Sequence, residues 1–263
     1  MKAVIKRILG QKSTSRLRKW FPSDVQKRAE IQEIARKAAF YESFVKKGSV
    51  CFDVGANTGN RIAPLLQIGA IVIAVEPQDK CFRHLKRKFG NTIILVKNGL
   101  GETNGIKEFH ISEDSTLSSF SDNWISSVTG TDRFKGKSWV KTVKVAMTTA
   151  DELIKKYGKP DFIKIDVEGY ELEVLKGLTE PIEMISFEYT VPEQPDRALM
   201  CLDQIEKHNP QIECNFSIGE DLVWAIPRWV SASEMRALIL SQAFQETSFG
   251  DIYVRTKSNE QSR

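Results

Sequence analysis

The sequence predicts a doubly wound α/β fold, with a mostly parallel sheet and helices on both of its faces. Three observations predict it. An apolar run over Val50–Val54 leads into a glycine-containing turn, a second run over Ala70–Val75 leads into Glu76, and helix-like segments alternate with such runs. Because parallel strands point the same way, their carboxyl ends form one edge of the sheet, where such folds bind ligands.

The chain divides by charge into a short basic arm and a nearly balanced body. Residues 1–23 contain no acid and seven basic side chains: Lys2, Lys6, Arg7, Lys12, Arg16, Arg18 and Lys19. The whole chain has 38 Lys and Arg against 34 Asp and Glu, which leaves 31 basic against 34 acidic side chains for the rest. The arm could make peripheral contact with an anionic membrane, or it could be a solvated or partner-docked tail. The body does not interleave basic and aromatic residues, so no nucleic-acid partner is expected.

Composition also bounds the compartment. No apolar run approaches the roughly 18 residues of a membrane span, and the opening residues are too often charged for a secretory signal. The four cysteines (Cys51, Cys81, Cys201 and Cys214) lack C-x-x-C spacing, which favours reduced thiols and no zinc site. We therefore expect a cytoplasmic protein, membrane-peripheral if the arm binds lipid. The oligomeric state is not predicted.

The first part of the chain alternates helices with strands. Helical periodicity over Val25–Lys47 puts Ile31 and Ala38 on one apolar face, and Gly48 ends that helix. Two more helices and a strand follow at Asn60–Ile68, Asp79–Phe89 and Thr92–Val96.

Residues 105–147 interrupt this alternation as an insertion. Strands over Gly105–Ile111 and Trp139–Met147 flank a polar stretch rich in Ser, Thr and Gly. That stretch has no helical period and predicts a long loop, of the kind that often forms a lid or a binding segment.

The alternation then resumes. Thr149 with Glu152, and Ser231 with Glu234, can each form a capping box at the start of a helix. The predicted elements are strands at Phe162–Asp166, Ile182–Tyr189, Leu222–Ile226 and Asp251–Val254, and helices at Glu168–Lys176 and Asp196–His208. The predicted domains are a basic arm with a helical extension (1–47), an α/β domain (48–256) and a polar tail (257–263).

The turn after the first strand favours S-adenosylmethionine (SAM) over a dinucleotide. In a dinucleotide turn a middle glycine lets the backbone approach the pyrophosphate, but here Asn57 stands at that position. Asp53 would repel a pyrophosphate, whereas it could attract the ammonium of SAM. Glu76 can accept hydrogen bonds from two ribose hydroxyls. The alternatives, a plain tight turn and a helix cap at Asp53, are less able to explain the whole pattern.

A third strand end completes the predicted cofactor site. Asn98 and Leu100 could meet the edge and face of the adenine, or belong to a plain Asn-Gly turn. The candidate cofactor-binding residues are Asp53, Gly55, Ala56, Asn57, Gly59, Glu76, Pro77, Asn98, Gly99, Leu100 and Asp166.

Candidate catalytic residues follow the fourth parallel strand. Methyl transfer to a hydroxyl needs a group that takes the hydroxyl proton. Asp166 and Glu168 are the candidates, with His110 as an alternative base. Glu188 and Tyr189 end the next strand and could face the acceptor. Asp166, Glu168 and Glu188 could also supply oxygen ligands to a divalent ion, although no spacing requires one; no metal site is therefore assigned.

Five segments of the chain resemble the FkbM-type family of SAM-dependent methyltransferases. They are Phe52–Gly59, Val75–Pro77, Asn98–Gly101, Thr149–Leu153 and Ile163–Glu171. The resemblance covers roughly residues 48–190 and implies a class I methyltransferase sheet, seven-stranded and mostly parallel. It also implies methylation of a hydroxyl on a sugar, glycan or other small molecule, with Asp53, Gly55, Asn57, Gly59 and Glu76 lining the SAM site and Asp166 and Glu168 near the transferred methyl.

One position departs from that family. Members often have an alanine after the strand-three asparagine, where this chain has Gly99. Two other functions stay open at this point: an NAD-type oxidoreductase on a similar sheet, and a non-catalytic protein whose basic arm docks on a membrane or partner.

Overall fold

A computed structural model describes residues 24–257, and eight of its strands form one sheet. In chain order the strands are β1 (Val50–Val54), β2 (Ile71–Val75), β3 (Ile94–Val96), β4 (Gly99–Leu100), β5 (Gly105–Ser112), β6 (Trp139–Thr148), β7 (Phe162–Ile165), β8 (Met184–Thr190), β9 (Ile212–Ile218), β10 (Val230–Ser231) and β11 (Phe249–Thr256). The main sheet has the order β10-β9-β11-β8-β7-β1-β2-β3. The five strands from β8 to β3 are parallel, and β11 runs antiparallel to both of its neighbours.

Helices connect these strands. They are α1 (Asp24–Tyr41), α2 (Ile62–Ile68), α3 (Asp79–Phe89), α4 (Asp122–Val128), α5 (Ala150–Tyr157), α6 (Glu171–Lys176), α7 (Pro195–His208), α8 (Ala232–Ile239) and α9 (Gln242–Gln245). The predicted mostly parallel α/β sheet is confirmed. The main sheet has eight strands rather than seven because the two-residue β10 pairs with the edge of β9.

Both faces of the sheet are covered. Along β1, Phe52 and Val54 belong to one apolar core, whereas Cys51 belongs to a second core that includes Tyr41 of α1. Alternate residues of a strand point to opposite faces, so apolar residues at successive positions bury the strand on both sides. All of β1 beyond Val50 is buried, which leaves only the strand ends open to a ligand.

The insertion contains more regular structure than predicted. Its strands β5 and β6 pair antiparallel, and β4 joins them in a separate three-stranded sheet. The stretch expected to be a loop contains α4, which Ser121 caps by accepting a hydrogen bond from the amide of Trp124 at 3.1 Å. Trp124 is 1% exposed. The prediction missed this helix because it is only seven residues long and buries just two side chains, Trp124 and Val128, one turn apart.

Three further boundaries were wrong. Helix α1 ends at Tyr41 rather than at Lys47, and Ile31, placed on its apolar face by periodicity, is 65% exposed. Helix α6 begins at Glu171, so Glu168 lies before it. No strand forms over Leu222–Ile226, because Leu222 has φ +48° and cannot continue an extended chain. The strand β9, which was not predicted, lies earlier in the chain and ends at Ile218.

Two predictions fall outside the described residues. The basic arm (1–23) and the polar tail apart from Lys257 are not described, so membrane contact through the arm stays a prediction. Between residues 24 and 257, no helix is long and apolar enough to cross a membrane.

The four cysteines are unpaired and buried, and burial raises the pKa of the Cys51 and Cys214 thiols to about 12.

Candidate functional site

A cavity of about 410 Å³ opens at the carboxyl ends of the parallel strands. Its floor is formed by the residues that follow β1, β2 and β7, and its cover by residues of the insertion, including Ser115, Phe120 and Trp124. All predicted cofactor residues except Gly59 line this cavity. The strand ends and the insertion thus enclose one site.

The glycine turn after β1 has a conformation that side chains would prevent. Gly55 has φ +85°, and a Cβ there would lie 1.8 Å from the carbonyl oxygen of Asp166. Gly59 has φ +84°, and a Cβ there would lie 2.5 Å from the ring of Phe89. The first glycine therefore permits contact with the loop after β7, and the second permits packing against α3.

Glu76 links this turn to β2. Its Oε2 accepts a hydrogen bond from the Asn57 amide at 2.8 Å, and its Oε1 accepts one from the Gln78 amide at 2.7 Å. Burial raises the pKa of Glu76 to about 7, against the opposing effect of these two bonds. Each carboxylate oxygen has a second lone pair. The side chain can therefore still accept hydrogen bonds from a pair of ribose hydroxyls.

Asp53 presents an unsatisfied acid to the same cavity. It is 2% exposed, and its Oδ2 has no hydrogen-bond partner within residues 24–257. Burial raises the pKa of Asp53 to about 6, although Lys164 and Arg61 oppose the shift. Buried polar atoms are rarely left unpaired. This oxygen suits a cationic ligand group such as the ammonium of SAM, so the residues present fit that cofactor.

The structure explains why Gly99 replaces the family's usual alanine. A Cβ at this position would lie 2.5 Å from Phe120 Cζ and 2.6 Å from Met147 Sδ. The neighbouring Asn98 donates from Nδ2 to the carbonyl oxygen of Ala146 at 3.2 Å. The insertion therefore packs closely on the segment predicted to meet the adenine.

Three acids meet on the other side of the cavity. One carboxylate oxygen from each of Asp166, Glu168 and Glu188 lies within 4.8 Å of the others. Burial, and then the charge of Asp166, raises the pKa of both Glu168 and Glu188 well above the ordinary value. Such a set can take up a proton near neutral pH, and its oxygen atoms are also of the type that Mg²⁺ and Ca²⁺ bind.

A tight turn before α6 holds Glu168. This residue has φ +54°, and its carbonyl oxygen accepts a hydrogen bond from Ser119 Oγ at 2.6 Å. Glu171 Oε1 accepts hydrogen bonds from the amides of Val167 and Gly169, both at 3.1 Å. Glu171 thus stabilises the turn by accepting two backbone hydrogen bonds, and Glu168 lies before the helix.

Two candidates are not brought to the cavity. His110 lies on β5, where its Nε2 is 2.8 Å from Asp122 Oδ1 and its Nδ1 is 3.1 Å from Thr142 Oγ1. Tyr189 is buried, and its hydroxyl is 3.0 Å from Thr247 Oγ1. Neither lines the cavity. Because side chains alternate along a strand, Glu188 faces the cavity and its neighbour Tyr189 faces away.

The sequence reasoning missed several charged groups near the site. Arg61 and Glu220 line the cavity and form an ion pair, with Arg61 Nη1 2.7 Å from Glu220 Oε2. Lys164 is almost fully buried just behind the wall, next to Asp251. A signal for Lys164 existed, because it stands alone as a charge within the apolar run of β7.

The fold and the site together define an α/β protein with an acid-lined cavity at its parallel strand ends. The methyltransferase FkbM domain matches residues 53–246, which is more than half of the chain. The chain therefore belongs to the FkbM methyltransferase family, as the resemblance predicted.

One curated relative is the hexuronic acid methyltransferase AglP of Haloferax volcanii. It is 31% identical over 147 residues, which cover 54% of this chain and 55% of the relative. The chain thus matches about half the length of that protein.

Solved structures overlap more widely but at low identity. Precorrin-6y C5,15-methyltransferase from Geobacter metallireducens has a TM-score of 0.44 at 10% identity, covering 84% of this chain and 87% of that one. Magnesium protoporphyrin IX methyltransferase from Synechocystis, with bound SAM, has a TM-score of 0.41 at 11% identity, covering 97% of both chains. At such scores the fold assignment depends on the strand order described above.

Proposed function

We propose that this protein transfers a methyl group from SAM to a hydroxyl of a sugar or glycan. One observation carries the proposal: the unpaired acid Asp53 and the ribose-type acceptor Glu76 share a cavity with the cluster Asp166, Glu168 and Glu188. Membership of the FkbM family supports the methyl-transfer chemistry, and the hexuronic acid relative supports a sugar acceptor.

The residues divide the work as follows. SAM would supply a methyl group on a sulfonium, and the neutral thioether that remains is an excellent leaving group. Asp53 would bind the ammonium, Glu76 would accept hydrogen bonds from the ribose hydroxyls, and Asn98 with Leu100 would border the adenine. Alignment of donor and acceptor supplies most of the rate in such a reaction. The covering residues of the insertion exclude water from the aligned pair.

The acceptor hydroxyl must lose its proton as the new bond forms. Glu168 is the better base of the two acids proposed for this role, because Asp166 lies 3.3 Å from the ammonium of Lys164, whereas Glu168 forms no ion pair within residues 24–257. Burial and the charge of Asp166 raise the pKa of Glu168, which makes its carboxylate a stronger base than an ordinary glutamate. His110 is not placed to serve, since its ring nitrogens are committed to Asp122 and Thr142.

The test measures cofactor binding and methyl transfer separately. Calorimetry with SAM and S-adenosylhomocysteine measures cofactor binding, and transfer of a labelled methyl group to paired neutral and uronic sugars measures acceptor choice. Running the transfer assay with EDTA and with added Mg²⁺ separates proton transfer to a carboxylate from a role for a bound cation. Absence of SAM binding at millimolar ligand, or tighter binding of NADH than of SAM, would overturn the proposal.

A further inference from the structure

Lys164 is a buried cation that the mechanism above does not use. It lies within β7 at 1% exposure, between Asp53 of β1 and Ser186 of β8 in the strand register. An ammonium out of contact with water is strongly unfavourable unless acids and hydrogen bonds compensate for it. The acids that surround the ammonium therefore indicate the role of Lys164.

One partner anchors the ammonium from β11, two strands away in the same sheet. Asp251, on the antiparallel strand β11, is 2% exposed and places Oδ1 2.7 Å from Lys164 Nζ. Asp251 is itself fixed, because Tyr253 donates to its Oδ2 at 3.5 Å and Arg61 Nη2 lies 3.8 Å from the same atom. The ammonium thus has one short, well-supported anchor.

The second ion-pair partner of the ammonium and one of its cross-strand neighbours are acids of the predicted cofactor site. Lys164 Nζ lies 3.3 Å from Asp166 Oδ2, and Asp166, whose side chain is 29% exposed, reaches from there into the cavity. Asp53 is the cross-strand neighbour of Lys164 in the register of β1 with β7, so both side chains leave the sheet on one face. The attraction of Lys164 opposes the rise that burial causes in the pKa of Asp53.

We propose that Lys164, anchored by Asp251, is a positioning residue for the methyl donor: it holds the carboxylate of Asp166 at the cavity wall and places its positive charge beside Asp53. The inference rests on the proposed function, because it assumes that these two acids face SAM. The lysine itself touches no ligand, since it does not line the cavity.

A purely electrostatic effect of Lys164 on SAM binding would have the opposite sign to a positioning effect, so an experiment can distinguish the two. SAM carries a sulfonium and an ammonium, so removing a nearby positive charge would strengthen its binding if Lys164 acted only through long-range electrostatics. A positioning role predicts weaker binding instead, because Asp166 would lose its ion-pair partner and Asp53 would lose the neighbouring positive charge that opposes its protonation.

The experiment compares Lys164→Met, Lys164→Arg and a matched control, Lys176→Met. Lys176 lies on α6 with 37% of its side chain exposed and pairs with Glu102 at 3.9 Å, away from the cavity. SAM affinity of the full chain is measured by calorimetry, and folding by thermal denaturation. Lys164→Met is expected to weaken SAM binding by about tenfold or more, Lys164→Arg to recover most of the loss, and the control to bind like wild type. Unchanged or tighter binding by folded Lys164→Met would overturn the inference.

Loss of Lys164 could instead unfold the chain, because it leaves Asp251 buried without its partner. The double variant Lys164→Met/Asp251→Leu removes both charges of the buried pair and restores an apolar match. If the double variant folds and still binds SAM weakly, positioning is supported, and wild-type affinity in it would refute the idea. A wild-type protein that binds SAM but methylates no sugar would contradict the proposed acceptor and not this inference.

Discussion

The amide of Asn57 donates a hydrogen bond to the carboxylate of Glu76 at 2.8 Å, which fastens the glycine turn after β1 to the residue that ends β2. The turn and the acid therefore form one unit. Asn57 has φ +46°, and asparagine is among the few residues that tolerate that region. The acid that would bind the ribose also holds the turn that surrounds it.

Replacing Glu76 with glutamine should weaken both the turn and SAM binding. Glutamine keeps one oxygen acceptor but loses the second, so the amide of Gln78 or Asn57 is left without its partner. An unsatisfied buried donor costs about 1–3 kcal/mol. We expect a loss of stability in that range by chemical denaturation and a weaker calorimetric affinity for SAM. Glu102→Gln, at an exposed glutamate, is the control, and wild-type SAM affinity in Glu76→Gln would contradict the assigned role.

Asp53 should make the ligand-free protein less stable as the pH rises. Its pKa is raised from 3.8 to about 6 in the folded state, so the folded protein binds more protons than the unfolded chain between those values. Stability then falls with rising pH through this window. Asp53→Asn should remove that contribution and gain about 3 kcal/mol at neutral pH, a difference that becomes small near pH 4. The comparison uses urea denaturation of both proteins at several pH values.

The same titration should affect the cofactor in the opposite sense. An ammonium binds ionised Asp53 better than the protonated acid, so SAM affinity should fall as the pH drops through about 6. The charged groups that act on Asp53 are Lys164, Arg61, Asp166 and Asp251. Calorimetry across this range tests the point. An affinity that is independent of pH would show that Asp53 does not bind the ammonium.

Gly99→Ala should be destabilising, and a smaller side chain at position 120 should rescue it. The added methyl group would meet Phe120 Cζ at 2.5 Å and Met147 Sδ at 2.6 Å. Overpacking of this kind costs about 1–3 kcal/mol. The double variant Gly99→Ala/Phe120→Leu makes room, so its melting temperature should lie above that expected if the two effects simply added. Additive effects would mean that the insertion is not packed against this segment.

Glu168→Gln should reduce turnover far more than SAM binding. A general base contributes about 10²- to 10⁴-fold to a rate, and Glu168 has no role in the proposed SAM contacts. For wild type, turnover should rise with pH as Glu168 loses its proton, because its pKa is raised by burial and by Asp166. Methyl transfer measured against pH in both proteins tests this. A wild-type pH profile in the variant would exclude Glu168 as the base.

Local patterns were enough to predict which strand ends meet at the cavity. The order of strand, glycine turn, helix and acid depends on neighbours in sequence, and α3 has the predicted bounds Asp79–Phe89. Asp53, Glu76 and Asp166, which lie at the ends of β1, β2 and β7, also line one cavity, because the carboxyl ends of parallel strands lie at one edge of the sheet. The functional roles of these residues stay predictions.

Long-range contacts and isolated side chains account for what the sequence did not reveal. Lys164 and Asp251 are 87 residues apart, and nothing local marks them as partners. The predicted strand over Leu222–Ile226 was an apolar run whose Trp224 packs among the rings of Phe40 and Tyr253, which a loop can achieve as well as a strand. In β9, polar residues alternate with apolar ones, and that weaker signal was overlooked.

The four buried cysteines can report how often the folded protein opens locally. All four thiols are buried, and burial also raises the pKa of Cys81 and Cys201, so alkylating reagents have no accessible thiolate to attack while the structure is closed. Modification by such a reagent would therefore report how often each layer opens. Cys51 and Cys81 flank the glycine turn, whereas Cys201 and Cys214 lie in the core on the other face of the sheet. Mass spectrometry of labelled peptides could therefore measure the opening rate on each face separately, with and without the methyl donor.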